Sequence, residues 1–175
     1  MPYIKKEIRV LFDSKIEMLV NTFCNDTKFD PCELEYVVFN LMKKIEKIKG
    51  IKYDLLNALI GAVECCKLEF IRRENLVLEN GIFDDLSTSC IKKGYSVLFD
   101  SKIEGMAKTL CDGTEFNPGE LNYVIFKLMK GIVKRVTHGL LKDLIIALEC
   151  SKLEFNRKVI ADYEDLKIKE NGDVE

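Results

Sequence analysis

LFDSKIE, residues 11–17, returns unchanged as residues 98–104. Sliding the chain by 87 lays 3–49 on 90–136 with just over half of the positions identical, including Cys24/Cys111, Pro31/Pro118, Tyr36/Tyr123 and Phe39/Phe126. After a loss of two residues, a slide of 85 lays 55–70 on 140–155. A period of this length exceeds the usual solenoid unit and suits a small domain, so the pattern reads as a tandem duplication. A unit that pairs with itself, once doubled in one chain, gives the single-chain version of an isologous dimer. The expected fold class is therefore all-α: two tandem three-helix units, 1–83 and 84–175, packed as a pseudo-two-fold helical bundle, with the polar run DDLSTS at 84–89 as linker.

The helices follow from apolar spacing and start signals. In the first, over about 7–24, Ile8, Leu11, Phe12, Ile16, Leu19, Val20 and Phe23 recur at three and four. Asp30-Pro31-Cys32-Glu33 and Asn117-Pro118-Gly119-Glu120 then combine an N-cap side chain, a proline at the first helical position and a glutamate at the third. They predict helices over 31–49 and 118–136. Leu34, Val37, Val38, Leu41, Met42, Ile45 and Ile48 form the stripe of the earlier one, yet Tyr36 and Phe39 lie on its other side. This helix has two apolar faces, one for its own unit and one for the sister copy. A third helix over about 53–79 has its counterpart over 140–163. The polar end, 161–175, reads as a loose tail that Tyr163, Leu166 and Ile168 can dock.

Composition removes several classes. With 47% apolar and 32% charged residues, 10 Gly, 3 Pro and no Trp, the chain is an ordinary globular one. A net charge of -2 gives no general attraction to nucleic acid or an anionic membrane. No apolar run approaches the roughly 20 residues of a membrane span, and the N-terminus lacks a signal-peptide core, so a cytoplasmic location is expected. The 7 cysteines show no CxxC pairing and are expected as reduced, mostly buried thiols. The single histidine, His138, has Tyr53 at its sister position, which leaves no support for a His-based metal site or a Ser-His triad. No glycine-rich phosphate loop is present, and no cofactor is expected.

The candidate binding residues are those that repeat with chemistry. Tyr36 and Tyr123, with Asn122, offer rings and polar groups for a base or sugar. Glu64 and Lys67 stand three apart on the third helix and recur as Glu149 and Lys152. Arg72 and Arg157 follow on the same helices and suit phosphate. With Tyr163 of the tail, these residues are expected to line a pocket where the units meet.

Two stretches also carry a resemblance: FNPGELNYVIFKLM at 116–129, and IIALECSKLEFNRKVIADYEDLKIKENGDV at 145–174. Together with YIKKEIR at 3–9 they resemble a family of small helical proteins encoded mostly by phages and mobile elements, with LNYVI, LECxKLEFYRR and closing YEDxKIxENGDV motifs. The first copy departs from the pattern with Glu35 in place of the asparagine of LNYVI; the second departs with Asn156 in place of an aromatic. The resemblance implies a phage-side accessory protein in the host cytoplasm. By analogy with other small helical phage proteins, it suggests a non-enzymatic sponge for a nucleotide-derived immune signal of the cyclic-nucleotide or ADP-ribose type. A homo-oligomer is compatible with the self-pairing unit. Two alternatives stand beside this reading. One is a protein-interaction or structural module without a small ligand. The other is an all-α Mg²⁺-dependent nucleotide pyrophosphatase, whose acids would be Glu64, Glu69, Glu149 and Glu154, although the paired ExxE and ExxD pattern of such sites is missing.

Overall fold

The computed structural model describes residues 4–25, 29–74, 94–135 and 140–172. Among these residues the chain is helical, with no strand: α1 (Lys6–Phe23), α2 (Pro31–Lys49), α3 (Tyr53–Arg73), α4 (Tyr95–Leu110), α5 (Pro118–Val133), α6 (Leu141–Phe155), a π-helical turn (Asn156–Ile160) and α7 (Ala161–Asn171). The expected starts of α2 and α5 hold. Asp30 and Asn117 cap them, each side chain accepting from the backbone N–H two residues on, at 3.0 Å. Gly50, at φ 79°, ends α2 in a conformation that glycine adopts without penalty. The tail expectation fails. Residues 161–171 continue the α6 axis as a helix through the π-turn, although none of them is buried. The linker, the ENG run at 79–81 and His138 lie outside the described residues.

The helices pair across the halves rather than within them. α1 packs on α4 and α5, α2 on α4 and α6, and α3 on α5 and α6. Among the described residues, the one within-half contact of any extent between successive helices of the bundle is at the α2–α3 junction. The two copies are thus interlocked, and pairs related by the repeat recur: Phe39 meets Phe155 as Phe70 meets Phe126, both edge-on. One continuous core results, with Leu19, Leu34, Leu41, Met42, Leu59, Leu121, Met129 and Leu148 essentially inaccessible. The second apolar face of α2 accordingly lies on the sister copy. Cys66 is buried and behaves as a small apolar side chain, and Cys24, Cys65, Cys66, Cys111 and Cys150 are free thiols. Cys32 departs from the expectation of reduced cysteines: it is disulfide-bonded.

The interlock is not symmetric everywhere. Gly131 of α5 lies so close to Val20 of α1 that an added Cβ would stand 2.6 Å from one Val20 methyl and 3.1 Å from the other. The sister positions hold Lys44 and Ala107, a large residue paired with a small one in the opposite sense. Val20 is β-branched and stiff on a helix, so it does not step aside. Gly131→Ala is expected to destabilise by about 1–3 kcal/mol, the usual penalty for overpacking. Val20→Ala in the same chain should recover most of that loss, as read from urea midpoints.

Candidate functional site

The repeated heptapeptide is the clasp of the two halves. Its aspartate receives a tyrosine from the other copy: Tyr36 Oη donates to Asp100 Oδ1 at 2.5 Å, and Tyr123 Oη donates to Asp13 Oδ1 at 2.8 Å. Phe12 and Phe99 of the same motif are fully buried, and its glutamates pair outward, Glu104 with Lys44 and Glu17 with Arg135. A third tyrosine bond exists in one half only. Tyr95 Oη donates to Asp30 Oδ2 at 2.5 Å, where the sister position holds Ile8. Burial, and then the adjacent carboxylate, push all three phenols upward, Tyr123 to about 12.

The Glu-Lys pairs close into a four-charge ring where α3 meets α6. Lys67 Nζ lies 2.9 Å from Glu64 and 2.6 Å from Glu149. Lys152 Nζ lies 2.7 Å from each of the same two glutamates. The Lys67 and Glu149 side chains are only 10% and 12% exposed, so each charge relies on the others for solvation. Burial opposes ionisation of Glu64, but the hydrogen bonds from Lys152 and Lys67 outweigh it and hold the carboxyl below its usual range. For Lys152, burial is likewise outweighed, by Glu149 and Glu64, and the ammonium is held above its usual range.

Farther along the same helices the arginines serve their own helix. Arg72 makes two hydrogen bonds to Glu69, each 2.8 Å, and Arg73 adds a third; Arg72 and then Arg73 hold the Glu69 carboxyl at about 2. Arg157 and Lys158 do the same for the buried Glu154.

These shifts fix a pH response. Glu64 and Glu154 sit below the ordinary carboxylate value of 4.5, so the stability they contribute is complete above it and is lost as the pH falls through their folded values. The phenols sit above their ordinary 10.0 and Lys152 above 10.5, so their contribution is complete below those values and is lost as the pH climbs. Stability should hold a plateau between about 4.5 and 9, the upper bound set by the thiols of Cys24, Cys66, Cys111 and Cys150, which burial raises above their ordinary 9.0. Replacing Tyr36 and Tyr123 by Phe should flatten the alkaline limb, as followed by urea midpoints across pH.

Eight of the ten candidate residues, Tyr36, Tyr123, Glu64, Lys67, Arg72, Glu149, Lys152 and Arg157, are thus engaged with protein partners at the seam or along their own helices. Among the described residues, the polar groups expected to face a pocket between the units make these contacts with the protein itself. The other two border separate clefts. Asn122 lines a cleft of about 300 Å³ between α3 and the first turn of α5, together with Ala58, Gly61, Ala62, Cys65 and Pro118. Tyr163 lines one of about 450 Å³ between α7 and Tyr53. Sequence reading missed Asp13 and Asp100, whose signal was present: an aspartate beside a buried phenylalanine, kept in both copies of the heptapeptide. It also missed Lys127, Lys130 and Lys134, which with Arg135 rim a groove of about 220 Å³ beside Gly131. Among the described residues, no cluster of His, Cys, Asp and Glu has the arrangement to hold a metal ion, and no helix is long and apolar enough to cross a membrane.

No curated protein and no solved structure matches the chain. A family profile matches twice, over residues 1–81 and 90–174, one match per copy of the repeat. The chain therefore belongs to the DUF6899 family, a domain of unknown function, and carries that domain as an interlocked tandem pair.

Proposed function

We propose that the protein acts by binding rather than by turnover, and that it holds a small nucleotide-derived signal without cleaving it, in keeping with the phage-side role that the motif resemblance implies. The observation that carries this reading is Asn122. Its side chain is 2% exposed and borders an open cleft, and among the described residues its Oδ1 accepts no hydrogen bond. Buried polar atoms are rarely left this way, so a ligand that donates to it is a reason for its presence. The hydrolase alternative loses support because Glu64, Glu69, Glu149 and Glu154 are all neutralised by lysines and arginines. Calorimetry against cyclic nucleotides and ADP-ribose derivatives tests the proposal. Saturable heat at tens of micromolar, with the ligand recovered intact, supports it; no heat with any of them ends it.

A protein partner is the second reading, and α7 favours it. This helix projects from the bundle with Leu166 and Ile168 half exposed and Tyr163 beside them. Removing residues 161–175 takes away Tyr163, the one residue of α7 that packs against the core, and none of the tyrosine–aspartate or Glu–Lys contacts; loss of a host partner with the circular dichroism spectrum retained would select this reading.

A further inference from the structure

The cleft between α3 and α5 has a shape and a chemistry of its own. Ala58, Gly61, Ala62 and Cys65 recur at three and four, so they present one flat face of α3. The Pro118 ring closes the opposite side. A Cβ built on Gly61 would meet nothing within 4 Å, so the space beside it is open. No charged side chain lines this cleft. Small residues alone mark no site, because they also serve close helix approach. Asn122 is the second and independent feature. Its Nδ2 donates to the Ala62 carbonyl at 3.3 Å, which leaves Oδ1 as the unsatisfied atom. That oxygen is buried and has no hydrogen-bond partner among the described residues, and the residue that carries it borders the cleft.

The duplication supplies an internal comparison. The sister of Gly61 is Ile146, that of Gly119 is Cys32 and that of Asn122 is Glu35. Each replacement is bulkier, charged or both. The flat floor and the amide therefore coexist in one half of the molecule only. Beyond Ala58 a second groove, of about 420 Å³, runs to Lys49, Lys52, Asp54 and Glu115. Its balanced charges leave room for a hydroxylated substituent and show no bias towards an anion.

We infer that this cleft is a single binding slot, one per chain, for a planar uncharged heterocycle bearing an N–H donor, with the donor satisfying Asn122 Oδ1 and the ring lying on the Gly61 face. This is the chemistry of a nucleobase edge. The inference rests on the binding reading above and gives it a place and a stoichiometry.

The test uses thiols already in place. Cys65 is exposed and borders the cleft, and its sister Cys150 is a free thiol at the equivalent position of the other half. Alkylation by iodoacetamide is followed at each cysteine by peptide mass spectrometry, with adenosine, guanosine, cytidine or uridine present. At about ten times the dissociation constant, at least one nucleoside should slow alkylation of Cys65 roughly tenfold and leave Cys150 unchanged. N6,N6-dimethyladenosine, which lacks the exocyclic donor, should protect less than adenosine if adenosine is the ligand. Asn122→Leu should weaken protection roughly tenfold, and Gly61→Leu should abolish it. Both variants are first matched to the parent by circular dichroism; Gly61→Ala, whose methyl enters open space, replaces the leucine variant if α3 is disturbed. If none of the four nucleosides distinguishes Cys65 from Cys150, the inference fails. If native mass spectrometry shows a retained ligand while Cys65 reacts equally in loaded and stripped protein, the binding reading stands and this slot is wrong. If a nucleoside protects Cys65 while no nucleotide-derived signal gives heat, the slot stands and the signal-binding role falls.

Discussion

A chain cut to residues 1–83 should have no stable fold as a monomer. α1, α2 and α3 meet one another hardly at all, and the surfaces they bury are presented by α4, α5 and α6. Taken alone, the fragment would expose Leu19, Leu34, Val37, Leu41, Met42, Ile45, Leu59 and Phe70 together. At about 1.5–3 kcal/mol for each large apolar side chain, that loss is as large as or larger than the roughly 5–15 kcal/mol by which domains are stable. The repeat offers one escape. A second copy of the fragment can supply the missing helices, because the partner surfaces of the two halves are near copies. Far-UV ellipticity and melting temperature of the fragment should therefore rise with its concentration, and adding the fragment 84–175 should give a more stable heterodimer. A fragment that melts cooperatively at a temperature independent of concentration, and sediments as a monomer, would overturn the interlocked architecture.

The local helical plan was legible because its signals are local. A capping side chain before a proline marks a helix start wherever it occurs, and Asp30-Pro31 and Asn117-Pro118 did so. The second apolar face of α2, with Tyr36 and Phe39, correctly announced contact with the sister copy. What periodicity does not carry is the identity of the partner helix. The two copies share one apolar stripe, so packing within a half and packing across halves look the same in sequence, and only geometry shows that nearly all of it is across. The spacing of Glu64 and Lys67 revealed a pair along one helix. It held no sign that Glu149 and Lys152 sit against it, which turned expected ligand groups into structural ones. α7 was misread for the opposite reason. It buries no side chain, so it has no apolar stripe to read, and its helicity follows from continuity with α6 through the π-turn.

The site was legible only where the copies differ. Tyr36 and Tyr123, kept in both halves, hold the halves together; Asn122, present in one half, borders the open cleft. Duplication explains this division. Whatever maintains the interlock is needed twice, once on each side of the pseudo-axis, whereas a binding surface is needed once and its sister is released to change. Gly61 against Ile146 follows the same logic; Gly131 against Lys44 and Tyr95 against Ile8 show that the interlock itself also differs between the copies.

Reversing one charge of the ring should be the most damaging change of a charged side chain at the seam. Lys67→Glu would place three carboxylates, at positions 64, 67 and 149, around the single remaining ammonium of Lys152. The wild-type Lys67 side chain is only 10% exposed and Glu149 12%, so water does little to screen the repulsion. Removing one partner of a buried pair typically costs about 3–5 kcal/mol, and reversal adds repulsion to that loss. For a domain of ordinary stability this leaves a substantial unfolded population at room temperature. The ring geometry also dictates the cure. Glu149→Lys in the same chain restores two acids and two bases, with each carboxylate of α3 facing an ammonium of α6. The double variant should regain most of the loss, because the charges are coupled across the seam and not merely tolerated on each helix. Urea midpoints at unchanged slope would measure both effects. Additive losses in the double variant would mean that the two helices do not sense each other's charge, and that the ring does not hold α3 to α6.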